Sequence, residues 1–430
     1  MIIEDTDFIA ANAPRETPHV PVIVIGGGQA GLSASWFLQR HCVEHLILEK
    51  NRIGHSWRDE RWDSFCLVTP NWQCLLPDFP YQGDDPNGFM LKDEIVAYVE
   101  AFAAKVKPPI REGVAVTALS RDRDGRFRLC TTSGDYTADK VILAVSGYHI
   151  ASIPRVGERL PSRLFQIHSQ QYRNPDQIPD GGVLVVGTGQ SGCQIAEDLY
   201  RVGRQAHLAV GTAPRSPRKY RGRDALDWLH EMGQYDITVD DHPLREKVRL
   251  KENHYFSGRD GGREIDLREF ARGGMKLYGM LSGVEGEQVA FADDLKKNLD
   301  AADAAFTKIR KQIDAYIAAK GVEAPPPPAP YTPLWEPAEQ PQTLDLAESG
   351  VNSVIWCTGF RPDWRWIDVP VFNGEGYPVH YRGVSKVDGL YVVGLPWLTT
   401  WGSGRFLGLT RDVEHVVKHL ASRLEERTAA

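Results

Sequence analysis

Two stretches decide the fold of this chain. The first is Val20-Pro21-Val22-Ile23-Val24-Ile25-Gly26-Gly27-Gly28-Gln29-Ala30-Gly31. The second, about 160 residues later, is Val183-Leu184-Val185-Val186-Gly187-Thr188-Gly189-Gln190-Ser191-Gly192. In each, an apolar run of strand composition leads straight into G-x-G-x-x-G, and a helix-like stretch follows, Leu32 to Gln39 and Cys193 to Tyr200. Strand, glycines, helix is the order a dinucleotide site requires. The first glycine (Gly26, Gly187) makes the tight turn, and the second (Gly28, Gly189) lets the backbone approach a pyrophosphate. The third (Gly31, Gly192) lets helix pack on strand, and the diphosphate sits at the positive end of the helix opened by Gln29-Ala30 or Gln190-Ser191. One such match is a weak signal. Two in one chain point to an enzyme that holds two dinucleotides and passes electrons between them.

The residues beyond each loop separate the two nucleotides. After Gly31 the strand Leu46-Ile47-Leu48 ends in Glu49, 18 residues on. A carboxylate there accepts hydrogen bonds from an adenosine ribose and repels a 2'-phosphate, which suits FAD or NAD and not NADP. The same step beyond Gly192 reaches Val210, with no acid, and then Arg215, Arg218, Lys219, Arg221 and Arg223. Planar guanidiniums are natural bidentate partners of phosphate, so the second loop reads as an NADPH site with Arg215 and Arg218 on the 2'-phosphate.

The fold class expected is α/β, two Rossmann-like dinucleotide-binding domains with the NADPH domain inserted into the FAD domain. We divide the chain into a flexible arm (1–18), a first part of the FAD domain (19–155), an NADPH domain (156–344) and a second part of the FAD domain (345–430). Val145-Ser146-Gly147 and Cys357-Thr358-Gly359, two strand-then-glycine ends, mark natural points of exit and re-entry. Within the second domain, apolar residues from Leu295 to Ile317 recur at helical spacing over 293–319 and stop at Gly321, reading as a core helix in preference to a dimer zipper. Pro325 to Pro341 reads as an extended loop. Leu390-Tyr391-Val392-Val393-Gly394 is a buried strand that precedes a helix from about Thr410.

A net charge of -7, with 42% hydrophobic and 25% charged residues, is ordinary for a globular enzyme and gives no reason to expect nucleic acid as a partner. No apolar run approaches the roughly 18 residues of a membrane span. Six cysteines are scattered without a C-x-x-C pair, which disfavours a disulfide reductase and suits the reducing cytoplasm. The histidines lack metal-ligand spacing, so no metal is expected.

These features resemble class B flavin-dependent monooxygenases over roughly residues 20–425. The segment Arg61-Trp62-Asp63-Ser64-Phe65-Cys66-Leu67 through Leu76-Pro77-Asp78-Phe79-Pro80 is most similar to the indole-pyruvate type and to bacterial flavoproteins linked to potassium transport. The identifying motif F-x-G-x-x-x-H-x-x-x-[WFY] is present in its second half, His168 to Tyr172, while Ser162 and Leu164 stand where the family has Phe and Gly. The resemblance implies FAD and NADPH as cofactors, with His168, Trp57, Thr358, Gly359 and Gly394 beside them. It implies a small organic substrate and dioxygen, reduction of flavin by NADPH, a C4a-peroxide, and Asn71 as a donor facing it. A homodimer is compatible with it. An NADPH oxidase or flavin dehydrogenase, and a redox-sensing regulatory flavoprotein, stand as alternatives because the histidine motif is incomplete.

Overall fold

The structure is a computed structural model that describes residues 17–429, so the arm over 1–18 lies almost wholly outside the described residues. His19–Ile25 runs parallel between His45–Leu48 and Tyr136–Leu143, and Ile110–Arg111 and Leu390–Val392 extend the sheet in the same sense. A meander, Val116–Arg121 and Phe127–Thr131, joins it antiparallel through Tyr136–Leu143. The second sheet holds five parallel strands in the order Phe165–His168, Val351–Trp356, Gly182–Val186, Ala206–Ala209, Lys276–Tyr278. The chain is thus the α/β doubly Rossmann-like protein its glycines announce, one unit inserted into the other.

One boundary needs correction. Val351–Trp356 pairs with both Phe165–His168 and Gly182–Val186 in the middle of the second sheet, so that domain runs through Trp356 and not to 344. The crossing back lies where Ile150–Ala151 pairs antiparallel with Phe360–Arg361, at the strand ends that carry Gly147 and Gly359.

Both glycine loops follow strands buried on two faces, which is why these strands read as unbroken apolar runs. Side chains alternate: Val22 and Val24 pack against Leu32, Leu38, Leu409 and Val413, while Ile23 and Ile25 pack against Phe127, Leu129 and Leu390. The second unit repeats this, with Val183 and Val185 on Ile195 and Leu199, and Leu184 and Val186 on Val289, Phe291 and Leu344. Each such side chain contributes roughly 1.5–3 kcal/mol of burial, so the turns between strand and helix are held between rigid elements.

The long helix spans Leu295–Lys320 and ends on Gly321, whose φ of +63° lets its N–H reach Ile317 O. Leu295, Leu299 and Ala302 join the second core, and Ile309, Ile313 and Ile317 pack on Tyr220 and Trp228. The apolar stripe is covered within the chain and is a core seam. Pro325 to Pro341 forms neither helix nor strand. The last helix, Phe406–Ala429, begins four residues earlier than its sequence pattern indicates. Among the described residues no helix is long and apolar enough to cross a membrane.

Candidate active site

The two glycine loops are geometric copies. Gly26 and Gly187 have φ of +105° and +103°, and a Cβ on either would meet the carbonyl of Ala144 or Cys357 at 2.5 or 2.7 Å. A Cβ on Gly31 or Gly192 would stand 1.9 Å from the carbonyl of Gly26 or Gly187. These four glycines are required by the protein itself. Gly28 and Gly189 are different: their φ values of -74° and -63° suit any residue, and a Cβ would meet nothing within 4 Å. Each caps a helix start that has no side-chain cap, Gln29–Arg40 and Gln190–Arg201. Open space, free backbone N–H groups and the positive end of a helix fit a diphosphate at each loop.

Around the first loop, Glu49 accepts from Gly27 N at 2.6 Å and Asn51 N at 2.8 Å, which fixes its carboxylate beside the turn. Gln29 Nε2 donates to Gly404 O at 3.4 Å, and a Cβ on Gly394 would lie 2.7 Å from that of Ala30. Trp57 stacks on Phe406 with centroids 5.9 Å apart and 21° between planes. Sequence-distant elements, the loop, the strand end at Gly394 and the start of the last helix, therefore converge on one place. At the second loop Gln190 Nε2 donates to Phe256 O at 2.5 Å, and Gly211 N to Thr188 Oγ1 at 2.9 Å.

Arg215 and Arg218 do not stand where the basic run suggests. They are 2% and 1% exposed. Arg215 pairs with Asp266 at 2.9 Å and Asp303 at 2.8 Å between the rings of Phe306 and Tyr331. Arg218 is held by Asp224 and by Val68 O at 2.7 Å, between Phe89 and Phe256. Both charges are neutralised inside the protein by acids that come from 224, 266 and 303. Arg221 and Arg223 pair with Asp314 and Glu231.

Asn71 is likewise committed. It is 3% exposed, donates from Nδ2 to Asp85 O at 2.9 Å, and accepts from Met90 N at 2.8 Å. Its amide closes the 71–90 loop through one N–H and its carbonyl oxygen. His168 donates from Nε2 to Gly359 O at 3.0 Å and accepts from Gln170 N at 3.2 Å, and burial lowers its pKa. Ser152 N also donates to Gly359 O, at 2.9 Å, and Thr358 Oγ1 donates to Ser152 O. His168, Thr358 and Gly359 thus pin the crossing between the two units. Tyr172 Oη donates to Asp198 Oδ2 at 2.8 Å, and Ser64 Oγ and Arg259 Nη1 reach Asp198 Oδ1 at 2.7 and 2.9 Å. Asp198 ties the segment after Trp57 to the helix of the second loop.

The sequence reading passed over two arginines near the loops, Arg61 and Arg405. Arg405 Nη2 donates to Asn253 Oδ1 at 3.1 Å, three residues before the Phe256 carbonyl that receives Gln190. Arg61 lies over Trp57 and Phe65, with its carbon 5.3 and 5.7 Å from the ring centroids. All six cysteines are free, and burial pushes the thiols of Cys66 and Cys74 up to about 12. Among the described residues no cluster suits a metal ion.

Residues 23–232 match the pyridine nucleotide-disulphide oxidoreductase family. An oxidoreductase of the CzcO-like type from Geobacillus kaustophilus is 31% identical over 93% of this chain and 98% of its own length. An indole-3-pyruvate monooxygenase from Oryza sativa subsp. japonica is 25% identical over 97% and 95%. The chain belongs to the CzcO-like oxidoreductase family. Like its CzcO-type relatives it is an oxidoreductase. The fold of the family extends to a flavin-containing monooxygenase from Stenotrophomonas maltophilia, with a TM-score of 0.65 at 20% identity over 95% of this chain and 100% of that one.

Proposed function

We propose that this protein is an NADPH- and FAD-dependent monooxygenase of a small organic substrate, with FAD on the loop at Gly26 and NADPH on the loop at Gly187. The observation that carries this reading is the pair of open glycines, Gly28 and Gly189, on loops joined through one short path. That path runs from Gln29 to Gly404, from Arg405 to Asn253, and from Phe256 to Gln190. Nucleotides extended from the two loops meet there. Bound FAD supplies the hydride acceptor and the oxygen-activating ring.

The chain's own residues do the rest. Glu49 is held by two backbone N–H groups in position to receive the adenosine ribose hydroxyls. Trp57 packs on Phe65 and on the buried Phe406 beside the first loop, and this apolar packing helps to keep water from the reacting atoms. The start of the last helix, at Phe406, directs its positive end at the same place and stabilises negative charge there. The His168–Gly359 and Ser152–Gly359 hydrogen bonds hold the crossing strands, so the approach of the two units is set by that joint. The free thiols suit a cytoplasmic enzyme.

Anaerobic reduction of the yellow protein by NADPH, followed by mixing with oxygen in a stopped-flow instrument, tests the proposal. A transient absorbance between the reduced and oxidised spectra, and incorporation of labelled dioxygen into a product, are expected. Direct reoxidation with stoichiometric hydrogen peroxide across a substrate panel overturns it. That outcome favours the oxidase reading, toward which the engagement of Asn71 within its own loop points.

A further inference from the structure

One short stretch of chain, residues 250–257, is rooted in the second unit and grips the first. Its root is buried: Tyr255, Phe256 and Ser257 are 1%, 6% and 2% exposed, and Tyr255 belongs to the core of the second unit. Tyr255 N donates to Pro214 O at 2.9 Å, and Phe256 O accepts from Gln190 Nε2 at 2.5 Å and from Gln194 Nε2 at 3.4 Å. Gln190 is the first residue of the helix that Gly189 caps, so the root is fixed on the second loop itself. The chain just before this stretch is docked on the other side. Thr238 bridges Thr400, Val239 N donates to Thr399 O at 2.8 Å, and Arg249 Nε donates to Trp397 O at 3.3 Å, all on the 397–400 turn of the first unit. Between the two anchorages Leu250, Lys251, Glu252 and Asn253 are exposed.

Within that exposed span, two neighbouring side chains hold opposite units. Glu252 Oε2 accepts from Thr212 Oγ1 at 3.1 Å, and Thr212 follows Gly211, whose N–H meets Thr188 of the second loop. Asn253 Oδ1 accepts from Trp401 Nε1 at 3.2 Å and from Arg405 Nη2 at 3.1 Å, just before the last helix. Arg405 follows Gly404, whose carbonyl receives Gln29 of the first loop. Three residues, at most roughly 10 Å of chain, therefore separate a carbonyl tied to one glycine loop from an amide tied to the other. Asp224 holds the buried Arg218 as a carboxylate, whereas Arg405 meets a neutral and exposed amide. Water competes for such a bond, so it closes when the span is correctly placed and not otherwise. We propose that Asn253 is a positioning residue, which carries the placement of the second loop, set by the nicotinamide nucleotide, to Trp401 and Arg405 beside the first. This rests on the seating of that nucleotide at Gly189 and deepens that reading by naming what joins the two sites.

The test uses the oxidised, FAD-loaded protein with NADP+ as the probe. Calorimetry gives the NADP+ affinity, and the flavin difference spectrum reports what that binding does at the first loop. Anaerobic stopped-flow then gives the limiting rate of flavin reduction by NADPH. All three are read before oxygen enters, so a monooxygenase and an oxidase give the same answer. Asn253→Ala should bind NADP+ as tightly as wild type, with a weakened flavin difference spectrum and reduction slowed by ~10–100-fold, the cost of ångström-scale misplacement. Asn253→Asp restores an acceptor for both donors and should recover most of the rate. Trp401→Phe, which removes one donor and keeps a ring against Tyr235, should show a smaller loss of the same kind. A wild-type spectrum and rate in Asn253→Ala overturn the proposal. So does an NADP+ affinity that falls in step with the rate, which makes Asn253 part of the nucleotide seat. An Asp variant as slow as the Ala variant also overturns it, because the loss is then one of local folding. Wild-type protein that binds no NADP+ overturns both this proposal and the seating of the nucleotide on which it rests.

Discussion

Replacing two glycines three positions apart in the first loop should produce opposite defects. Gly28 has φ -74°, and its Cβ position is open to at least 4 Å. Leucine there enters empty space, so the fold should lose no more than about 0.5 kcal/mol, as for an exposed substitution. The side chain fills the approach to the helix N-terminus, and FAD affinity should fall by ~100-fold or more, about 2.7 kcal/mol. At Gly31 a Cβ stands 1.9 Å from Gly26 O, and real Cβ contacts are essentially never under 3.0 Å, so the backbone must give by at least the 1.1 Å between them. Both groups belong to a strand–turn–helix buried on two faces. Gly31→Ala should therefore cost at least the ~1–3 kcal/mol of core overpacking, at roughly 2–4 °C of melting temperature per kcal/mol in a domain of this size. Flavin absorbance per protein, read beside thermal melts of the apoprotein, separates the two. Gly28→Leu should be colourless and as stable as the wild-type apoprotein, and Gly31→Ala should melt early. A yellow Gly28→Leu protein refutes the reasoning, because it means that the open space at Gly28 is not the FAD seat. Gly189→Leu is the internal control, and should stay yellow while losing reduction by NADPH.

Arg215→Ala leaves Asp266 buried without its cation and Asp303 with Arg268 alone, and should destabilise the protein by ~3–5 kcal/mol, seen in denaturant unfolding. A stable variant whose only defect is a raised KM for NADPH would restore Arg215 to the 2'-phosphate. Ile313→Ala, at a position with 0% exposure in the long helix, should cost ~2–5 kcal/mol with the oligomeric state unchanged by light scattering; dissociation without loss of stability would return the helix to a dimer seam. Burial lowers His207 from 6.5 to about 4, so the folded state takes up the proton less readily than the unfolded chain. The stability this neutral histidine brings is complete above pH 6.5 and is lost as pH falls toward 4, about 3 kcal/mol in all. Urea midpoints over that range should fall more steeply for wild type than for His207→Gln, and parallel curves would contradict the assignment.

The doubly Rossmann-like fold was legible in the sequence because its determinants are local. A turn at positive φ, a helix start against a carbonyl and a strand buried on both faces each leave a mark within a dozen residues, and here they do so twice. Glu49 was legible for the same reason: the fold places the end of the second strand beside the first turn. Gly321 closed the long helix where the pattern said, since a left-handed C-terminal residue is a local demand. The fate of charged side chains was not local. Arg215 and Arg218 follow the second unit in the order of a phosphate clamp, yet acids up to 88 residues away meet Arg215 and bury its charge. Asn71 looks like a turn donor until the 85–90 segment folds back and takes both ends of its amide. A sequence states which residues carry charge; whether a charge is matched or left waiting for a ligand depends on which distant segments pack beside it, because desolvation and pairing act through space.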